Sequence, residues 1–163
     1  MAMRIKFYAV GGTIDKVYFD RMSEYQVGES MLVDILTEAN VTLDYEYDSL
    51  IHKDSLDMTD ADRQMLFERV RSDTHQRIVV THGTDTMIES AKKLQGIENK
   101  TVVLTGAMQP AKFKSSDAEF NVGFAVAAVQ TLPPGVYIAM NGRIFDPDKV
   151  RKHRELNRFE EMT

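Results

Sequence analysis

Apolar and polar positions along this chain follow two spacings, one typical of buried strands and one typical of amphipathic helices. Short apolar runs or a period of two predict strands at 4–10, 41–51, 77–80, 101–104 and 136–140. Apolar residues at helical spacing predict helices over 31–40, 59–72, 86–94 and from 116 or 117 to the Pro133-Pro134 pair. Strands that alternate with helices favour a parallel sheet covered on both faces.

The predicted fold is therefore α/β, a single three-layer domain over 1–163 with a mostly parallel, flavodoxin/Rossmann-like sheet. Two segments lack a clear strand pattern. Residues 13–26 mix aromatic and charged side chains without a period and are interpreted as a long loop. The charged tail 146–163 is predicted to be a helix that begins at Asp146, before Pro147. Its basic cluster is interpreted as a solvated helix face, with a phosphate or partner site as the alternative.

Composition narrows the classes of function. The chain is 43% hydrophobic and 28% charged, as in an ordinary soluble domain. A net charge of -5 gives no electrostatic reason to expect a nucleic acid or a membrane surface as partner. The absence of cysteine excludes disulfides, thiolate catalysis and cysteine-ligated metals, and fits a cytoplasmic location. The chain shows neither a signal peptide nor a run long enough to span a membrane.

Two glycine-containing turns follow predicted strands. The first is Gly11-Gly12-Thr13, and the second is the run THGTDT at 81–86, where polar side chains surround Gly83. Because the carboxyl ends of parallel strands share one edge of a sheet, both turns are expected at that edge, where α/β proteins bind ligands. Glycine there lets a ligand approach the backbone closely.

A threonine after such a turn can act as a nucleophile when neighbouring groups assist its deprotonation. Thr13 and Thr84, the Asp85 carboxylate and a lysine could meet that need, and Lys100, just before the next strand, is the best candidate for the lysine. Taken singly, Thr84 or Asp85 would more often cap a helix than catalyse a reaction. The histidines lack the spacing of a metal pair, and His82 is predicted to brace the turn rather than bind zinc; no metal site is expected.

Five segments in order resemble the bacterial-type L-asparaginase family. They are GGTI at 11–14, DSLDMT at 54–59, THGTDT at 81–86, VVLTGAMQP at 102–110 and SSDAEFN at 115–121. The resemblance covers most of the chain and matches the first domain of enzymes that are about twice as long. It implies hydrolysis of L-asparagine or a related amide to an acid and ammonia, without a cofactor and through an acyl-threonine intermediate.

The resemblance also implies roles for catalytic residues. Thr13 matches the nucleophile that attacks the amide carbon, and Tyr25 matches a tyrosine on a loop that closes over the substrate. Thr84, Asp85 and Lys100 match a second catalytic group. In that group, the aspartate would fix the lysine, and the lysine would draw a proton from Thr84 or from its water.

Ser55 and Asp85 match groups that hold the α-carboxylate and α-ammonium of the substrate, and backbone amides near Thr84 are expected to stabilise the oxyanion. Leu56 stands where many relatives carry a polar residue, which predicts an altered preference for the amino-acid head group. The full predicted substrate-binding set is Gly12, Ser55, Leu56, Gly83, Thr84, Asp85 and Ala107.

The expected partner is a small-molecule amide or amino acid, and the expected assembly is a homo-oligomer, a dimer or a tetramer. A non-catalytic binding or sensor domain that kept the pocket is the alternative. The two threonines, Asp85 and the lysine favour the enzyme, because a binding protein has no need of them together.

Overall fold

A computed structural model of the chain describes residues 3–18, 25–27 and 30–163, with 18 and 25–27 described by their backbone alone. The strands, in chain order, are β1 (Arg4–Gly11), β2 (Lys16–Tyr18), β3 (Tyr25–Val27), β4 (Asp44–Lys53), β5 (Arg77–Thr81), β6 (Thr101–Thr105), β7 (Gly135–Met140), β8 (Arg143–Phe145), β9 (Val150–His153) and β10 (Arg158–Glu161). The α-helices are α1 (Leu32–Glu38), α2 (Asp60–Ser72), α3 (Met87–Leu94) and α4 (Ala118–Thr131).

Six of these strands form the central sheet, in the order β4-β1-β5-β6-β7-β8. The first five pair in parallel, and β8 pairs antiparallel with β7 at one edge. Numbered along the chain, the five parallel strands have the order 2-1-3-4-5, which is the flavodoxin-like arrangement. The predicted α/β fold with a mostly parallel sheet is confirmed.

Alternate residues of the inner strands enter two separate hydrophobic cores, one on each face of the sheet. On β5, Ile78 and Val80 enter the core that α2 and α3 cover, whereas Val79 enters the core that α1 and α4 cover. All three side chains are fully buried. Burial on both faces explains why β5 and β6 are continuously apolar in sequence, as expected for the centre of a parallel sheet.

The start of α2 shows how local sequence fixes a helix boundary. The Thr59 hydroxyl accepts a hydrogen bond from the Asp62 amide at 3.2 Å, and the Asp62 carboxylate accepts one from the Thr59 amide at 2.9 Å. This reciprocal capping box satisfies two amides that the helix itself cannot pair. The predicted N-cap at Thr59 is confirmed.

The prediction of a helix over 146–163 is wrong. Asp146 begins a turn, with the Lys149 amide donating to its carbonyl at 3.0 Å, and the chain then forms an antiparallel hairpin of β9 and β10. Val150 and Phe159 are buried and extend the core on the α2 and α3 side. Asn157 has a φ of 46°, a conformation that suits the turn of a hairpin and that asparagine tolerates.

The sequence predicts a long loop over 13–26, but the described residues of this segment contain regular structure. Residues Thr13–Asp15 form a 3₁₀ turn, and β2 and β3 pair antiparallel, with Lys16 opposite Val27. Short strands of three residues carry too few side chains to show a period in the sequence.

Among the described residues, none of the helices is both long and apolar enough to cross a membrane.

Candidate active site at the carboxyl edge of the sheet

The two glycine turns predicted from the sequence lie in direct contact. Gly12 has a φ of 91°, and a Cβ on it would overlap the backbone nitrogen and Cα of Gly83. The Gly12 amide donates to the Lys53 carbonyl at the end of β4 at 3.0 Å, which holds the turn in place. Thr13 and Thr84 each follow one of these touching glycines, so the end of β1 and the end of β5 form one site.

A third segment, the 3₁₀ turn Ser55–Asp57, packs against the same place. A Cβ on Gly83 would lie 2.5 Å from the Ser55 Cβ, so only glycine fits there. The Thr86 hydroxyl donates to the Ser55 carbonyl at 2.8 Å and fastens this turn to the THGTDT turn. The predicted substrate-binding residues Gly12, Ser55 and Gly83 are therefore brought together by backbone packing.

Thr84 and Asp85 share one cation, and that cation is Lys152. Its ammonium donates to the Thr84 hydroxyl oxygen at 2.8 Å and to the Asp85 carboxylate at 2.8 Å. Lys152 reaches them from β9, and its side chain is only 14% exposed. An ammonium in this position stabilises negative charge that develops on the threonine oxygen, and the carboxylate fixes the direction from which the ammonium approaches.

The prediction that Lys100 serves Thr84 is wrong. The Lys100 ammonium donates instead to the backbone carbonyls of Asp73 and His75. Lys100 precedes the first residue of β6, so it lies at the amino edge of the sheet, whereas Thr84 follows the carboxyl end of β5. The length of a five-residue strand, roughly 16 Å, separates those edges.

The sequence contained a signal for Lys152 that depended on recognising the hairpin. In a strand, residues two apart lie on the same face, so within β9 Val150 and Lys152 line one face and Arg151 lies on the other. On a helix, by contrast, the basic residues of the tail would share one solvated face. The sequence offers one indication of a hairpin. Asn157, a residue that suits a tight turn, lies between two short segments that contain the apolar residues Val150 and Phe159.

His82 braces the THGTDT turn from inside the protein, as predicted. Its Nδ1 lies 2.7 Å from the Gly83 carbonyl oxygen and its Nε2 lies 2.7 Å from the Ser90 hydroxyl. Since a carbonyl only accepts, Nδ1 carries the proton and Nε2 accepts from Ser90. Complete burial lowers the pKa of His82 to about 4, so the ring is neutral near pH 7.

Asp15 ties the Thr13 turn to the start of α1. It is buried, and its carboxylate accepts a hydrogen bond from the Met31 amide at 2.9 Å. Burial raises the pKa of Asp15 to about 6, although the hydrogen bonds from Met31 and Ser30 act in the opposite direction. Among the described residues the Thr13 hydroxyl has no hydrogen-bond partner, which leaves it available to a ligand.

Beside the Ser55 turn, Asp54 carries a second ion pair of the site. Its carboxylate lies 2.6 Å from the Lys16 ammonium and accepts from the Leu56 amide at 3.1 Å. Burial alone would raise the pKa of Asp54, but these two hydrogen bonds outweigh it and hold that pKa below its usual value. The Leu56 side chain is 64% exposed beside this pair.

The turn after β6 lies next to the turn after β5. The His82 amide donates to the Thr105 carbonyl at 2.8 Å, and Gly106 packs against the His82 carbonyl. Asp117 holds the turn by accepting from the Met108 amide at 3.0 Å. Ala107, predicted to bind substrate, is buried in the core under α1 and α4, so its side chain packs inside the protein.

The sequence also predicted a role for Tyr25 and the absence of a metal site. The backbone of Tyr25 begins β3, opposite Tyr18, but its side chain lies outside the described part of the chain. The role assigned to that tyrosine stays a prediction. Within the ranges that the structure describes, three or more histidine or acidic side chains are nowhere grouped to hold a metal ion.

Comparison with known proteins gives the same family from sequence and from structure. Residues 4–160 match the family model described as the N-terminal part of asparaginase. The chain is 30% identical over 159 residues to L-asparaginase 2 of Escherichia coli, a match that covers 91% of this chain and 46% of that protein.

Solved structures agree with that assignment. The thermostable L-asparaginase from Thermococcus kodakarensis superposes with a TM-score of 0.85 at 28% identity, covering 98% of this chain and 51% of the other. The probable cytoplasmic L-asparaginase from Campylobacter jejuni gives a TM-score of 0.81 at 28% identity, with the same coverage. The chain spans about half the length of these relatives. Its sequence, its fold and its paired glycine turns together make it a member of the asparaginase family, matching the N-terminal domain.

Proposed function

We propose that this protein is an asparaginase-like amidohydrolase that converts L-asparagine, or a related amide, to the acid and ammonia through a threonine nucleophile. The observation that carries the proposal is the Lys152 ammonium, which lies 2.8 Å from both the Thr84 hydroxyl oxygen and the Asp85 carboxylate. The contact between Gly12 and Gly83, the glycines that precede the two threonines, supports a common site for Thr13 and this group.

In the proposed reaction the Thr13 hydroxyl oxygen attacks the amide carbon. The carbon–nitrogen bond then breaks, the nitrogen takes the proton and leaves as ammonia, and an acyl-threonine remains. Water held at the Thr84 hydroxyl then attacks that ester: its oxygen bonds to the acyl carbon, the bond to the Thr13 oxygen breaks, that oxygen takes the proton from the water, and the acid leaves. The Lys152 ammonium beside Thr84 stabilises the negative charge that develops on oxygen as the proton moves.

Charge explains why Lys152 has Asp85 beside it. The Lys152 side chain is only 14% exposed, and an ammonium held largely away from water needs a counter-charge. The Asp85 carboxylate at 2.8 Å supplies that charge and holds the ammonium on the Thr84 oxygen. Such an arrangement has no purpose in a protein that only binds, so the sensor alternative is not favoured.

Ammonia release from purified protein tests this function. Thr13→Ala and Thr84→Ala are each expected to lower kcat/KM for L-asparagine by about a hundredfold or more, since each removes a reacting or proton-holding hydroxyl. Thr131→Ala is the matched control, because Thr131 ends α4 and its hydroxyl donates to the Ala127 carbonyl. Turnover that survives Thr13→Ala unchanged would contradict the proposed nucleophile.

A cytoplasmic location and a homo-oligomeric state, dimer or tetramer, are part of the same proposal. The location is supported by the absence of cysteine and by the likeness to the probable cytoplasmic L-asparaginase of Campylobacter jejuni. The assembly rests on the family resemblance. Cell fractionation and sedimentation velocity measure the two properties directly, and a monomer at micromolar concentration would contradict the second.

A further inference from the structure

The carboxylate of Asp54 joins the turn that carries Thr13 to the turn that carries Ser55. Its Oδ2 lies 2.6 Å from the Lys16 ammonium, and its Oδ1 accepts a hydrogen bond from the Leu56 amide at 3.1 Å. Lys16 directly follows the 3₁₀ turn of Thr13, and Asp54 caps the 3₁₀ turn that begins at Ser55. This ion pair therefore links the predicted nucleophile to a predicted substrate-binding turn.

Lys16 is also bonded to the Thr13 turn through its backbone. The Lys16 amide donates to the Thr13 carbonyl. On the other side of Thr13, the Gly12 amide donates to the Lys53 carbonyl at 3.0 Å. The consecutive residues Lys53 and Asp54 thus hold the chain on both sides of the threonine. Since no described residue bonds to the Thr13 hydroxyl, these flanking contacts set where its oxygen lies.

The surroundings of the ion pair make it a firm contact. The Lys16 and Asp54 side chains are 26% and 28% exposed, so water and salt screen the pair less than one on the open surface. A hydrogen bond between an ammonium and a carboxylate is also stronger than one between neutral groups. Although burial would raise the pKa of Asp54, the bonds from Lys16 and Leu56 hold that pKa below its usual value, so the carboxylate is charged at neutral pH.

We propose that the ion pair between Lys16 and Asp54 positions the Thr13 oxygen for attack on a substrate held at the Ser55 turn. This rests on the proposed function, in which Thr13 is the nucleophile. Neither charged side chain reacts, so both are positioning residues. A nucleophile displaced by about 1 Å can lose roughly a hundredfold in rate. Loss of the ion pair is therefore expected to lower kcat rather than to raise KM.

Steady-state kinetics with L-asparagine on Lys16→Met and Lys16→Arg test the proposal. Lys16→Met removes the charge but keeps a side chain of similar length, and is expected to lower kcat about ten- to hundredfold with KM within about threefold. Lys16→Arg keeps a cation that binds carboxylates, and its kcat is expected to lie within about fivefold of wild type. Unchanged kcat in Lys16→Met, or equal losses in the two variants, would overturn the assignment.

Arg69→Met is the matched control. The Arg69 guanidinium forms an ion pair with Asp48 at 3.3 Å, which joins α2 to the middle of β4 and involves neither turn. Its kcat and KM are expected to stay within about twofold of wild type, since an exposed ion pair contributes little. A loss of kcat in Arg69→Met as large as that in Lys16→Met would show that the effect is not specific to the two turns, and would overturn the assignment.

Amide hydrogen exchange separates this inference from the proposed function, because it needs no substrate. Three amides of the two turns donate hydrogen bonds within the protein, those of Gly12, Asp15 and Leu56. In Lys16→Met they are expected to exchange about tenfold faster than in wild type, since the turns open more often, and in Arg69→Met they are expected to keep their rates. Faster exchange in Lys16→Met, when wild type hydrolyses no L-asparagine, would support the ion pair while the hydrolase fails. Unchanged exchange in Lys16→Met would overturn the inference whether or not wild type is active.

Discussion

The ammonium of Lys152 lies 2.8 Å from the hydroxyl oxygen of Thr84, although 68 residues separate them in the sequence. This contact links the THGTDT turn to the hairpin that ends the described chain. The second half of the site is therefore built by β9, a strand outside the central sheet.

Gly83 is the position where three segments of the site approach most closely. Gly83→Ala is expected to lower stability by about 1–3 kcal/mol, because its Cβ would lie 2.5 Å from that of Ser55. Gly123→Ala is the control, since Gly123 is on the exposed side of α4 with open space around it and should gain about 0.5–1 kcal/mol. Urea denaturation measures both, and equal stability of the two variants would contradict the proposed packing.

Asp15 makes stability depend on pH in a definite direction. Its folded pKa, about 6, lies above the ordinary value of 3.8, so the folded state disfavours the carboxylate. The free-energy cost of ionising Asp15 in the folded protein is absent below about pH 4 and lowers stability as the pH rises through 6. Asp15→Asn keeps an acceptor for the Met31 amide and stays neutral. We expect it to be more stable than wild type by about 1–3 kcal/mol at pH 8, with the difference vanishing near pH 4.

Urea denaturation of both proteins at pH 4, 6 and 8 checks this expectation. His82 is common to both, so its own titration cancels in the difference between them. A constant difference across the three pH values would show that Asp15 titrates normally in the folded protein.

Phe159 anchors the hairpin that carries Lys152. It is buried and stands opposite Lys152 in the register of β9 and β10. Phe159→Ala is expected to lower the free energy of unfolding by about 3–5 kcal/mol. It is also expected to lower kcat/KM of the protein that remains folded, because Lys152 loses its support. Leu156→Ala, in the exposed turn, should change stability by less than about 0.5 kcal/mol. Equal losses of stability in Phe159→Ala and Leu156→Ala would contradict the buried position of Phe159 in the hairpin.

The sequence predicted those parts of the fold in which local chemistry and tertiary packing agree. Buried strands such as β5 and β6, the Thr59 cap and the edge where Gly12 and Gly83 meet all follow from apolar runs, capping residues and the rule for strand ends. These features depend on neighbours in sequence, so a single chain contains the information for them.

The tail and the lysine could not be predicted in the same way. In 146–163, charged residues outnumber apolar ones, and the hairpin depends on Val150 and Phe159 finding a core formed by distant strands. The place of Lys100 just before the next strand, and the family resemblance, favour it as the lysine of the site, but the direction of β6 puts it at the other edge. Distance along the chain does not report which edge of a sheet a residue occupies.

The most direct test of the site measures kcat/KM and Tm for Lys152→Met and Lys100→Met. Lys152→Met is expected to lose about 10²–10⁴-fold in kcat/KM at nearly unchanged Tm, since its ammonium assists Thr84. Lys100→Met is expected to lower stability by about 1–3 kcal/mol with kcat/KM kept within a few-fold, since it leaves the Asp73 and His75 carbonyls without that donor. Full activity in Lys152→Met, or activity lost in folded Lys100→Met, would contradict the account.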